Sequence, residues 1–420
     1  MDIGLLVSLL VVLATIYFLL KQFETRMVLI GAGLVLALFS FDPMAALDAF
    51  AKRMTSGSLI QAICASMGFA FVMRYTRCDE HLVKLLSKGL TKVGVLIIPA
   101  ATVSTLMINT AIPSAAGCAA AAGATLIPLM MRAGIHPAMA AGAVLAGTIG
   151  SLLSPGMSHN AFVANMADMT VVEMIAYHSP FSLTVMAISV VGVTIVALVL
   201  KDHVYEGISE TADEGPDAVT SPNVIYALCP FVPLAILLAG NSFYPAMKTG
   251  VPQAMVIGCL LALLLTRVNP AKLSKEFFSG MANGYGEVIG IIIAASVFAE
   301  GLKVSGLIGE FIEILKSSNE IAQWGASLGP FLMAVLTGSG DAAAYAFNET
   351  VTPHAADIGY TIPDLGMLAA IAGSLGRTMS PVAGVTIVCA GIAGISPIEV
   401  VKRTAPAMIF AVFVLALIMG

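Results

Sequence analysis

The chain has 420 residues, of which 58% are hydrophobic and 11% charged, with six cysteines and a formal net charge of −5. A soluble globular chain carries about 25% charged residues, so the composition excludes one and indicates an all-α polytopic membrane protein. Short alternating strands, the mark of a transmembrane β-barrel, are missing, and no nucleic-acid partner is expected.

Apolar runs near the length of a bilayer crossing recur at residues 3–20, 27–41, 59–73, 182–200, 224–238, 251–265, 288–298 and 405–419. Each crossing needs roughly 20 mostly apolar residues. The first run lacks a basic leading segment and a small-residue cleavage site, so it reads as a retained span. Weakly amphipathic segments lie at 44–54 and 81–90. Cys64, Cys78, Cys118, Cys229, Cys259 and Cys389 are scattered without a CxxC pair, which favours buried thiols over disulfides or a metal site.

Residues 93–131 form two short apolar arms around the polar tip Asn109-Thr110-Ala111-Ile112-Pro113-Ser114. Residues 324–354 do the same around Thr337-Gly338-Ser339-Gly340-Asp341. Both read as re-entrant hairpins, because bare backbone at membrane depth survives only against protein or a watery cavity.

One pattern occurs twice, as Gly147-Thr148-Ile149-Gly150-Ser151-Leu152-Leu153-Ser154-Pro155 and Gly373-Ser374-Leu375-Gly376-Arg377-Thr378-Met379-Ser380-Pro381, 226 residues apart. The same offset pairs Pro137 with Pro363 and Glu173 with Glu399. Each copy is expected to interrupt a helix. The apolar runs follow the same offset, so the chain reads as a first repeat at 1–200, an acidic cytoplasmic linker at 201–222 and a second repeat at 223–420. Each repeat is expected to hold about five spans, one re-entrant hairpin and one broken helix. An odd number of crossings would invert the second repeat relative to the first. Paired interrupted helices in corresponding halves point to a transporter's binding site.

With the N-terminus outside, Lys21, Arg26, Arg74, Arg77, Lys84, Lys88, Lys92, Arg132, Lys201, Arg267, Lys272, Lys275, Lys402 and Arg403 fall on the cytoplasmic side. Lys52, Arg53, Lys248, Lys303 and Lys316 fall outside. This obeys the positive-inside rule and predicts a bacterial inner-membrane protein with both termini periplasmic.

Arg377 is left over, inside the second predicted break. A charge at bilayer depth faces a cavity or a partner. Asp341, Glu349 and Glu287 are candidate partners, and a substrate carboxylate is the alternative, since the guanidinium fork bonds both oxygens. Ser154, Ser158, His159 and Asn160 follow the first break, while Thr378, Ser380 and Thr386 surround the second. Exposed helix N-termini suit an anion there. A single Ser or Thr also serves close helix packing, but the cluster at both breaks argues for a site. The substrate-binding candidates are therefore Asn109, Thr110, Ser114, Ser154, Ser158, Asn160, Thr337, Gly338, Ser339, Gly340, Arg377, Thr378, Ser380 and Thr386. Asp341, His159 and Glu287 are the candidates for coupling to a proton or to sodium, the latter near Asn109 and Asp341. No other cofactor is expected.

Residues 337–349, then 375–385 and 395–404, closely resemble the DcuC-type anaerobic C4-dicarboxylate carriers. The resemblance covers nearly the whole chain and is densest in the second half. It implies the ion transporter superfamily, with inverted repeats, paired hairpins and a homodimeric elevator. It also implies transport of succinate, fumarate, malate and aspartate, by exchange or by cation-coupled export or uptake. Where that family's tip reads Gly-Ser-Gly-Asn, this chain has Asp341, which bears on the coupling ion. Asn109-Thr110 is similar to the Ser-Asn-Thr tips of divalent-anion/sodium symporters. Two rival readings stand beside this one. The first is a carrier for a different organic anion or a Na+/H+-coupled substrate. The second is an intramembrane aspartyl protease, whose Gly-x-Gly-Asp motif Gly338-Ser339-Gly340-Asp341 matches. Such an enzyme needs a second aspartate to share a proton, and its usual Tyr-Asp pair does not occur here.

Overall fold

Helices carry all the regular structure of the described residues, and no strand occurs among them. The structure, a computed structural model, describes residues 3–21, 23–88, 96–204, 221–242, 249–316 and 319–419. Most of the expected linker (205–220), the first residues of the expected first hairpin, and Lys92 and Lys248 lie outside the described residues.

The first half runs α1 (Ile3–Leu20), α2 (Thr25–Phe39), α3 (Pro43–Arg53), α4 (Gly57–Tyr75), α5 (Cys78–Ser87), α6 (Ile97–Ala111), α7 (Ala115–Arg132), α8 (Pro137–Gly147), α9 (Ser158–Met166) and α10 (Val171–Val199). The second runs α11 (Val224–Leu228), α12 (Val232–Ser242), α13 (Val251–Thr266), α14 (Pro270–Asn283), α15 (Gly290–Val304), α16 (Leu307–Lys316), α17 (Asn319–Thr337), α18 (Gly340–Thr350), α19 (Ile362–Thr378), α20 (Gly384–Ala393) and α21 (Pro397–Met419). Helix starts follow local chemistry. Asp42 caps α3, Asn269 caps α14 and Thr361 caps α19, each with proline at the first helical turn. Thr170 and Glu173 close a capping box on α10.

Shifted by 226 residues, α2 to α7 fall on α13 to α18, α8 on the start of α19, α9 on α20 and α10 on α21. The packing follows the same rule. α2 packs on α15 as α13 does on α4, α3 on α15 as α14 does on α4, and α6 on α8 as α17 does on α19.

Four helical stretches are long and apolar enough to cross a membrane: Ala115–Arg132, Pro137–Met166, Val171–Val199 and Pro397–Met419. α4 and α5, bent by 72°, make a fifth candidate. Among the described residues, shorter apolar helical stretches of 10–17 residues include Leu6–Leu19, Thr25–Phe39, Ile97–Ala111, Val251–Thr266 and Gly384–Ala393. α8 and the core of α19 are buried on every side, as helices apolar all round must be.

The first predicted break is real. α8 stops at Gly147, a 3-10 turn covers Gly150–Leu153, and α9 restarts at Ser158. The second lies later than predicted. α19 runs through Gly373 and Gly376 to Thr378, and the chain leaves the helix only there, ahead of Pro381. Those glycines are contact points rather than breakers. A Cβ on Gly376 would stand 2.2 Å from the Phe331 carbonyl oxygen of α17, and one on Gly373 2.8 Å from that of Gly340.

Candidate transport site

The hairpins α6–α7 and α17–α18 turn beside the two breaks. Ser114 Oγ accepts from the Gly117 N–H at 3.1 Å and starts α7. Ser339 Oγ accepts from the Ala342 N–H at 3.1 Å and starts α18. Gly338 precedes it with φ +78°, against the Ala383 nitrogen and Val382 oxygen, which a Cβ would approach to 2.9 Å. Only glycine meets both demands. α9 and α20 start without a side-chain cap, so their first N–H groups lack that partner.

All four of these N-termini reach one cavity of about 310 Å³. Ser114, Ala115 and Ala116 come from α7, Ser158 from α9, Asp341 from α18, and Gly384 and Val385 from α20. Ser151, Ser374 and Arg377 complete its polar wall. Converging N-termini and a guanidinium favour an anion. The cavity draws on both halves at matching positions: Ser151 and Arg377, Ala115 and Asp341, and Ser158 and Gly384 each stand 226 residues apart.

Arg377 donates from Nη2 to the Thr148 carbonyl at 3.1 Å, joining the two breaks. None of the three acids weighed as its partner pairs with it. Asp341 Oδ1 lies 3.0 Å from His159 Nε2, Glu349 pairs with Arg53, and Glu287 Oε1 lies 3.5 Å from Arg26 Nη1. The Asp341 side chain is 53% exposed, into the cavity, while His159 is 1% exposed behind it. Glu287 is corrected as a coupling candidate. It lies on a π-helical turn, 61% exposed and turned to Arg26, and it does not line the cavity although its neighbour Val288 does.

Several other candidates hold the unwound backbone instead of lining the cavity. Asn109 is buried, its Oδ1 accepting from Ser151 N–H at 2.6 Å and its Nδ2 donating to the Ile112 carbonyl at 3.0 Å. Thr110 donates to the Gly150 carbonyl at 3.0 Å. Asn160 Nδ2 donates to the Leu152 and Ser154 carbonyls, both at 2.9 Å. Ser154 Oγ accepts from Gly156 N–H, Ser380 Oγ from Val382 N–H, and Thr337 Oγ1 from Ser339 N–H. Thr378 is different, donating to the Ser374 carbonyl within the last turn of α19 at 2.8 Å. Thr386 is buried, its hydroxyl without a partner among the described residues. The physical reason is that broken backbone at membrane depth must have its N–H and C=O groups satisfied. Of the candidate set, Ser114, Ser158, Asp341 and Arg377 line the cavity, and Gly338, Ser339 and Gly340 form the adjoining tip.

Some partners escape sequence reading. His178 is buried, with Nε2 3.1 Å from Asn160 Oδ1 and Nδ1 2.8 Å from Ser182 Oγ. Tyr345 stacks on His159 at 4.3 Å between ring centroids. Its position one helical turn after Asp341 on α18 was the available signal.

The pattern of the DcuC family, described as C4-dicarboxylate anaerobic carrier, matches residues 43–419. The chain belongs to this family. It is accordingly a transport protein with several apolar helices, not an enzyme, which closes the protease reading. The anaerobic C4-dicarboxylate transporter DcuC of Escherichia coli is 32% identical over 375 residues, covering 86% of this chain and 79% of the relative. An uncharacterized transporter of Haemophilus influenzae is 50% identical over 278 residues, 64% of this chain and 100% of the relative. In fold the DcuC-family chain is similar to Neisseria gonorrhoeae MtrF, solved as one of a class of antimetabolite efflux pumps. That match has a TM-score of 0.65 at 12% identity and covers 91% of this chain and 85% of the other.

Proposed function

We propose that this DcuC-family protein is a secondary carrier of C4-dicarboxylates, exchanging succinate, fumarate, malate or aspartate across a bacterial inner membrane. The observation that carries the reading is the convergence of four helix N-termini and Arg377 on one cavity. The N–H groups of α7, α9 and α20 hold one carboxylate, and the Arg377 fork holds the other. Asp341 carries a proton or a sodium ion in step with the dianion, since an ionised Asp341 would repel it.

The chain divides into two inverted repeats joined by a cytoplasmic linker, with both termini periplasmic. The matching element order and the loop charges support this. In this reading the hairpins and broken helices slide as a unit against the remaining helices, in a homodimer embedded in lipid. That motion exposes the midplane site to each side in turn.

The test is counterflow in proteoliposomes, with labelled succinate outside and unlabelled dicarboxylates inside. Trans-stimulation by succinate, fumarate or malate is expected. Failure of all three, with success of a monocarboxylate, overturns the reading.

A further inference from the structure

Beside the transport cavity lies a larger one of about 890 Å³. The two share Met67, Ser114 and Ala116 as lining, so they are neighbouring chambers separated by the start of α7. Arg74, in the last turn of α4, lines the larger chamber but not the smaller. Its guanidinium lies over the Phe71 ring at 5.5 Å, and no carboxylate hydrogen-bonds it among the described residues. Asp79, Glu80 and Lys84 also line this chamber. Glu80 is committed to Arg77 at 2.6 Å, and Asp79 accepts the Glu80 N–H at 2.9 Å.

The absent side chain of Gly117 makes room for Arg74. A Cβ on Gly117 would stand 3.2 Å from Arg74 Nη2 and 3.1 Å from Ser114 Oγ. The guanidinium therefore sits against the N-terminal turn of α7, beside the one hydroxyl that faces both chambers. An arginine and a helix N-terminus both favour an anion, and the buried Asp79 offsets only part of the Arg74 charge without hydrogen-bonding it.

We propose that Arg74, with Ser114, forms an outer carboxylate subsite that receives a dicarboxylate before it passes to the Arg377 cavity. This rests on the anion-carrier reading above. The planar, weakly hydrated guanidinium held on an aromatic face grips one carboxylate and leaves the other free to enter first. Arg74 is then a substrate-binding residue, acting on entry and affinity.

The experiment measures labelled succinate binding to the purified full-length protein at low and high salt, with exchange kinetics alongside. Arg74→Gln is expected to bind about tenfold more weakly at low salt, the loss of one charge-assisted contact. The deficit should shrink as salt screens the wild-type attraction. Most of the kinetic change should fall on KM, and Arg74→Lys should recover part of the affinity. Gly117→Ala, whose methyl presses on both Arg74 and Ser114, should weaken binding too, and should add nothing further in the Arg74→Gln background. Wild-type affinity and salt dependence in Arg74→Gln would overturn the subsite while leaving the carrier reading intact. So would a loss that tracks thermal stability, the mark of an arginine that only caps its own helix. A wild-type protein that binds no C4-dicarboxylate at either salt removes the carrier reading and the subsite together.

Discussion

His159 Nε2 lies 3.0 Å from Asp341 Oδ1, and the other ring nitrogen, Nδ1, is buried without a hydrogen-bond partner among the described residues. Nε2 is therefore the ring nitrogen placed to donate to the carboxylate. His159 of α9 thus steadies the carboxylate of α18, whose other side faces the cavity.

Asp341→Asn keeps a hydrogen-bonding partner for His159 and removes the titratable oxygen. The variant should keep substrate exchange, which needs no net ion movement. It should lose the pH or sodium dependence of net uptake that the wild type shows. Exchange and net uptake measured from pH 5.5 to 8.5, with and without sodium, decide this. Unchanged profiles would leave Asp341 as a structural partner of His159.

Arg377 separates shape from charge. Arg377→Lys retains the charge but loses the bidentate fork and the reach to the Thr148 carbonyl, so succinate binding should fall strongly. Arg377→Ala should bind tens of times more weakly or worse, as truncating a buried charged partner costs about 2–5 kcal/mol. Normal binding by the Lys variant would confine Arg377 to bridging the two breaks.

Arg53 of α3 pairs with Glu349 of α18, and its guanidinium lies 5.7 Å from the centre of the Phe162 ring of α9. Glu349→Gln keeps an acceptor but removes the counter-charge of Arg53, and should cost about 1–3 kcal/mol, read as a lower unfolding midpoint in detergent. Replacing both, as Arg53→Met with Glu349→Leu, should recover much of that loss, because an apolar pair leaves no uncompensated charge. Equal midpoints for the single variant and the wild type would mean the pair adds nothing.

The six native cysteines are all buried, so a cysteine introduced into the 201–222 segment would report against a low background. An impermeant thiol reagent should label it in inside-out vesicles and spare it in intact cells. Labelling from outside would reverse the proposed orientation.

Arg377 and Asp341 were legible in the chain because an ionised group inside an apolar stretch has few bland explanations. The doubled pattern likewise announced the matched element order. Asn109 and Asn160 misled for a physical reason. An amide that binds a ligand and one that ties down unwound backbone look alike until the N–H and C=O partners are seen. Gly373 and Gly376 misled in the same way, since a glycine that breaks a helix and one that lets a neighbour approach share one letter. In the sequence Arg53 and Arg74 read only as loop charges, because an arginine at a helix end looks the same whether it faces water, an acid or a cavity.

The two halves furnish the cavity at equivalent positions, yet Ser151 stands where its counterpart is Arg377, and Ala115 where its counterpart is Asp341. Both ionic groups of the wall thus come from the second half of the chain. The chamber has a cationic pole without a matching one across from it, so its ends and faces are chemically unlike. A substrate with a stereocentre meets that wall as a hand meets a glove. The two enantiomers of malate should therefore compete unequally for the site, whereas fumarate, which is flat and has identical ends, should be indifferent to which way round it enters.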